Sequence, residues 1–213
     1  MLKAVIISNV NIRLNEIADD NVSSSELVST PYIESLIIPS ANNLLMKVPV
    51  NAVLPEKYTA SPTSIIQDGL TGKILITNTT FLRLHSLKMD SWKRAVSVVS
   101  SESSNVYNLQ KNTVTRGNPD RPIVIQTHYY RTAPVAWFRA LQYFSVETEN
   151  DGVDYLYYIK KITSDTNVFQ YETILEDLLV WEIVMTCLII LGEKDKAANV
   201  DAIMQRTITS LMN

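Results

Sequence analysis

Residues 136–162, AWFRALQYFSVETENDGVDYLYYIKKI, decide how the middle of this chain folds. Aromatic and β-branched residues fill both flanks, and ENDG at 149–152 supplies the residue types that favour a tight turn. Two strands joined there predict an antiparallel hairpin, the clearest in the sequence. Upstream, GKILIT, FLRLHSLKM, AVSVV and IVIQTHYY have the same strand character, so a β-rich region is expected over about 62–164. Asp68-Gly69, with Gly72 close behind, marks a second hairpin or bulged turn.

Both flanks of that region predict helices, at about 1–50 and 170–213. Ala4 to Ile17 is apolar with mixed periodicity, which fits helix or strand, and the polar linker DDNVSSSE follows. In PYIESLIIPSANNLLMKVP, Ile33, Leu36, Ile37, Ala41, Leu44, Leu45 and Val48 recur three and four apart. Thr30 is placed to cap this helix and Pro31 to begin it, Pro39 to kink or divide it, and Pro49 to end it. Glu172, Glu176 and Asp177 put negative charge where a helix dipole favours it, and Gly192 is the expected stop. KDKAANVDAIMQRTITSLM predicts a last helix with Ala198, Ile203, Ile208 and Leu211 toward the core. The expectation is a single 213-residue α+β subunit, its N- and C-terminal helices forming a helical bundle with an inserted antiparallel β-rich region.

Composition narrows the function. A hydrophobic content of 46% with 19% charged residues describes a globular chain, and a net charge of −3 argues against a surface dedicated to coating DNA. Cys187 stands alone, which allows no internal disulfide and fits a reducing cytoplasm. Arg13 and Asn15 fall where a signal peptide would need small residues. The most apolar run, LLVWEIVMTCLIILG at 178–192, is short for a bilayer and carries Glu182, so no membrane association is expected.

Catalytic chemistry finds no foothold in the residue pattern. His85 and His128 sit singly in strand-like runs without metal-ligand spacing, so no metal is expected. There is no nucleophile elbow, and Cys187 lies in an apolar helix where a thiol is packing. Gly72-Lys73 lacks the rest of a Walker loop, and the acidic pairs Asp19-Asp20 and Glu176-Asp177 read as solvation and capping. These readings predict no enzyme, no catalytic residue and no cofactor. The aromatics Tyr129, Tyr130, Trp137, Phe138, Tyr143, Phe144, Tyr155, Tyr157 and Tyr158 crowd together with Arg131, Arg139, Lys160 and Lys161 among them. Such a set suits core or protein–protein contact. The alternative is a single-stranded nucleic-acid-binding module using an aromatic and basic strand face.

The order of motifs is informative. TNTTFLRLHSLKMDSWKRAVSVV, a short polar gap and YNLQKNTVTRGNPDRPIVI together resemble the ring or adaptor proteins of the head-to-tail connector in crAss-like tailed bacteriophages. The matching residues are Phe81, Leu82, Arg83, Leu84, Trp92, Tyr107, Gln110, Asn112, Arg116, Gly117, Pro119 and Pro122. The flanks agree, with a Pro-Ser-Ala-Asn segment in an early helix and two closing helices from LEDLLVWEIV. Thr77-Asn78-Thr79-Thr80 departs from the pattern, standing where family members often carry Pro-Asp or a pair of aspartates.

The resemblance implies a structural virion protein, assembled in the host bacterial cytoplasm, whose copies close into a dodecameric ring. Its partners would be the portal protein and neighbouring tail or connector proteins, with genomic DNA passing through the lumen without specific recognition. Within that frame, 107–125 reads as an arm that contacts a neighbouring subunit. One glycine leading into a Pro-led strand is not a phosphate cradle. Pro119 and Pro122 stiffen the segment, Gly117 permits a turn, and Tyr107, Arg116 and Arg121 offer anchors.

Overall fold

The computed structural model describes residues 2–17, 28–60, 64–77, 79–132, 135–144, 146–165, 168 and 173–211. The predicted linker 19–26 and Glu172 lie outside them. In chain order the elements begin with α1 (Lys3–Ile17), α2 (Thr30–Lys47), a 3-10 turn (Val50–Ala52), β1 (Glu56–Lys57) and β2 (Ile65–Asp68). They continue with β3 (Thr71–Ile76), β4 (Phe81–Met89), β5 (Val99–Ser101), α3 (Asn105–Leu109) and β6 (Val124–Thr132). The last are β7 (Val135–Phe144), β8 (Val153–Lys160), α4 (Thr173–Ile190) and α5 (Lys194–Ser210). Two compact units result: Met1–Val53 with Lys161–Asn213, and Leu54–Lys160.

In the helical unit, the first segment is a helix because Ile6, Val10 and Leu14 recur four apart and bury one stripe. α2 begins after Ser29 rather than Thr30, and it runs through Pro39 without dividing. Asn42 helps fix its position: its amide donates to the Ile38 and Ile162 carbonyls, each at 2.9 Å, and accepts from the Ile162 N–H at 2.9 Å. Lys3 ties α1 to α2 through Glu34 at 3.0 Å and also reaches Asp165 at 2.9 Å. α4 closes at Gly192, whose φ of 83° only glycine adopts without strain. There the Glu193 N–H donates to the Leu188 carbonyl at 2.9 Å.

The expected helical bundle around an antiparallel insertion does not hold. α4 is a hub on which α1, α2 and α5 each pack, and α5 makes its main contact with α4 alone. Coverage from several sides explains why α4 is apolar all round, with Leu175, Leu179, Ile183, Val184 and Cys187 fully buried. α5 needs only one stripe, and Ala197, Val200, Met204 and Ile208 supply it. Ile208 is buried as predicted, whereas Ala198 and Ile203 face solvent.

The β unit departs from expectation as well. It holds two sheets, ordered β1-β8-β4 and β2-β3-β7-β6-β5, and β5 pairs with β6 in parallel. Asp68 and Thr71 close the β2–β3 hairpin predicted at Asp68-Gly69. ENDG, in contrast, joins no hairpin, because β7 and β8 belong to different sheets. It crosses between them and is held at the end of β4. Asp151, buried, accepts from the Ser91 N–H at 3.1 Å and Oγ–H at 2.8 Å, and the Asp90 N–H donates to the Gly152 carbonyl at 3.0 Å.

The two sheets share one core. β4 buries Phe81, Leu84, Leu87 and Met89, a spacing near three that its register shifts allow. These meet Leu156 and Tyr158 of β8 and Ile74, Ile76, Val124, Leu141 and Tyr143 of the larger sheet. Phe81 stacks on Tyr158 with centroids 5.1 Å apart, and Trp92 meets Tyr143 edge-on at 6.4 Å.

Candidate interaction surface

The six residues singled out in 107–122 fall in a self-braced loop. Ser104 caps α3, a short helix inside the region expected to be β-rich, by accepting from the Tyr107 N–H at 3.4 Å. Gln110 is buried and stitches the loop, donating to the Val106 carbonyl and accepting from the Gly117 N–H, both at 2.8 Å. Asn118 and Arg121 close a tight turn through Pro119 and Asp120, with the Arg121 N–H 2.9 Å from the Asn118 carbonyl. Lys93 clasps that turn, its N–H donating to the Pro119 carbonyl at 3.0 Å and its ammonium pairing with Asp120 at 2.6 Å.

The structure therefore gathers Gly117, Pro119, Arg121 and Pro122 into one turn and leaves Tyr107 on the short helix before it. Pro122 and Gly117 are buried, Tyr107, Arg116 and Pro119 are half-buried, and Arg121 is exposed. The Lys111 ammonium lies over the Tyr107 ring at 5.4 Å, while Arg116 Nε is buried without a hydrogen-bond partner.

A more exposed surface arises where β6 and β7 run past their sheet. β5 pairs with β6 only at Val124, Ile125 and Gln126. β3 pairs with β7 only from Arg139 to Phe144. The β6–β7 ladder continues to Thr132↔Val135. Among the described residues, then, His128–Thr132 and Val135–Phe138 form a two-stranded ribbon with no further strand on either edge. A cleft of about 410 Å³, lined by Ser101, Gln126 and His128 among others, lies where β5 leaves the β6 edge.

Alternation explains what the ribbon displays. Tyr143 and Leu141 point into the core, so Arg139 and Trp137 follow on the same face of β7, opposite His128 and Tyr130 of β6. Arg139 donates to the Phe81 and Leu82 carbonyls at 3.0 and 2.9 Å, which ends the covered part of that face. Beyond it the core stripe continues into solvent as Trp137, 72% exposed, and Tyr130, 44% exposed. Their centroids are 5.0 Å apart. The opposite face carries Tyr129 under the Lys73 ammonium at 5.7 Å and Phe138 under the Arg131 guanidinium at 5.8 Å.

The aromatic cluster seen in the sequence is thus divided. Tyr143, Phe144 and Tyr158 are core, Tyr155 and Tyr157 form a half-buried pair 5.6 Å apart, and Tyr130 with Trp137 are displayed. Of the interleaved cations, Arg139 is spent on carbonyls and Lys160 on Glu56 at 3.0 Å. Partial burial, followed by the charge of Arg83, pushes the His85 imidazole below its ordinary value. Cys187 is buried, and desolvation pushes its thiol up to about 11.

Among the described residues, no group of three or more His, Cys, Asp or Glu converges as a metal site. No described helix is long and apolar enough to cross a membrane. Comparison with known proteins returns no matching family model and no matching curated protein.

Proposed function

We propose that this chain is a structural subunit of the head-to-tail connector of a tailed bacteriophage, copies of which close into a ring between portal and tail. The observation that carries this reading is the β6–β7 ribbon. A two-stranded ribbon is marginal in water on its own. This one also holds a Trp–Tyr pair in solvent and, among the described residues, has no further strand beside it. Exposed aromatics on a ribbon that extends past its sheet are features that protein partners cover by packing. Motif order supports the same reading, through Phe81–Leu84, Trp92 and the Arg116–Pro122 turn. The exposed Arg121 and half-buried Tyr107 and Arg116 extend the contact surface to a second place on the same unit.

The nucleic-acid reading is the weaker one, because Arg139 and Lys160 of the interleaved cations are engaged within the chain. The test is a phage carrying Tyr130→Ser with Trp137→Ser in this chain. Filled heads without attached tails are expected in electron micrographs. Normal yields of tailed particles would count against the reading.

A further inference from the structure

The positive charge of the β unit is concentrated in one place. Leu54–Lys160 contains twelve Lys and Arg against nine Asp and Glu, while the remaining residues contain seven against thirteen. Within the β unit, residues 93–121 hold Lys93, Arg94, Lys111, Arg116 and Arg121 against Glu102 and Asp120. Elsewhere in the unit the two signs balance, so its whole excess lies in this segment.

Hydrogen bonds gather these cations around one loop. The Lys93 N–H donates to the Pro119 carbonyl at 3.0 Å, which brings Lys93 and Arg94 to the 118–121 turn. Gln110, next to Lys111, accepts from the Gly117 N–H at 2.8 Å, which brings Lys111 and Arg116 to the same turn. Lys93 is compensated by Asp120 and, more distantly, by Glu147. Arg94, Lys111, Arg116 and Arg121 make no ion pair among the described residues. Apolar side chains stand among them, Val114 88% exposed and Leu109 50% exposed. A phosphate backbone would engage the cations and leave these side chains in water, whereas a protein segment can cover both. The loop is already braced by Gln110 and by the Asn118–Arg121 turn, so docking on it costs little further ordering.

We propose that the 93–121 loop docks an acidic segment of a neighbouring protein, one that carries carboxylates beside aliphatic side chains. This rests on the connector reading and gives its second contact place a partner chemistry. Arg116 and Arg121 suit carboxylates, which a guanidinium can bind through two parallel hydrogen bonds. Leu109 and Val114 supply the apolar part of the contact, and the uncompensated charge selects an acidic partner over a basic one.

Binding to the isolated full-length chain tests it, with a synthetic peptide of glutamates interspersed with leucines as the probe. The peptide is expected to bind, and to bind more weakly as salt rises. Serines in place of its leucines should weaken it as well. Arg94→Glu, Lys111→Glu and Arg121→Glu together, all at exposed positions, should lower its affinity about tenfold and confer binding to the lysine–leucine counterpart. Arg121→Glu alone should give part of each effect, with Tm unchanged in both variants. No peptide binding, equal binding by the reversed variant, or tighter binding of duplex DNA than of the peptide would each overturn the proposal. Self-association of the chain that the reversal abolishes would overturn it too. Assembly is read separately in the phage. Peptide binding beside normal tailed particles from the Tyr130→Ser, Trp137→Ser phage leaves this surface standing without the connector reading, and the opposite pair of results leaves the connector reading without this surface.

Discussion

Glu182 shows how far single residues were legible. In the sequence it interrupts an apolar run; in the structure it is 2% exposed within α4 and held by Lys47 at 2.7 and 2.8 Å and by the Asn43 amide. The partner could not be read from the sequence because it lies 135 residues away, on a helix whose facing surface only tertiary packing defines. Removing one member of a buried pair leaves the other charge desolvated, whereas a surface pair counts for little. Glu182 is buried but Lys47 is 30% exposed, so Lys47→Ala should lower the unfolding free energy by about 2 kcal/mol, measured by urea denaturation. A loss well under that would mean water reaches Glu182. Tyr143 gives a prediction in pH. Burial, and then the charge of Asp151, push its phenol up to about 12. Because the folded value lies above that of an unfolded tyrosine, the associated stability is complete below about pH 10. It is lost as pH rises toward 12. Phenolate absorbance should show one tyrosine ionising late, in step with unfolding; uniform titration near the ordinary value would contradict its burial.

Elements were legible where local pattern and tertiary role coincide. β3, β4, β6, β7 and β8 fall in the predicted runs because β-branched and aromatic residues suit a pleated, half-buried surface whichever strand lies beside them. Partner choice was not legible: ENDG has turn chemistry, yet Asp151 spends its carboxylate on Ser91 and sends the chain to the other sheet. The phase of α5 was missed in part for a related reason, since Ala198 and Ile203 are as apolar as Ala197 and Met204 and only α4 chooses between them. The ribbon lies between these cases. Its residues stood out in the sequence, but their exposure depends on β3 and β5 stopping short. Since Tyr130 and Trp137 lie outside the covered part of the sheet, Tyr130→Ser and Trp137→Ser should each change stability by no more than about 0.5 kcal/mol. Thermal unfolding checks this, and a large drop in Tm would show that the pair supports the fold rather than a partner.

At the scale of the molecule, composition described a mildly acidic globular chain, and the division into units shows where that charge resides. The helical layout was expected to make a bundle, but with α4 as the hub, α1 keeps an exposed face that includes Val5 and Ile12. On the proposed function, copies of this chain close into a ring. The most direct test is cryo-electron imaging of the tailed particle in which the chain is proposed to lie. A closed ring at the portal–tail junction is expected, with the β6–β7 ribbon of each copy covered by a neighbouring subunit. A particle that lacks the chain at that junction, or holds it without cyclic symmetry, would contradict it.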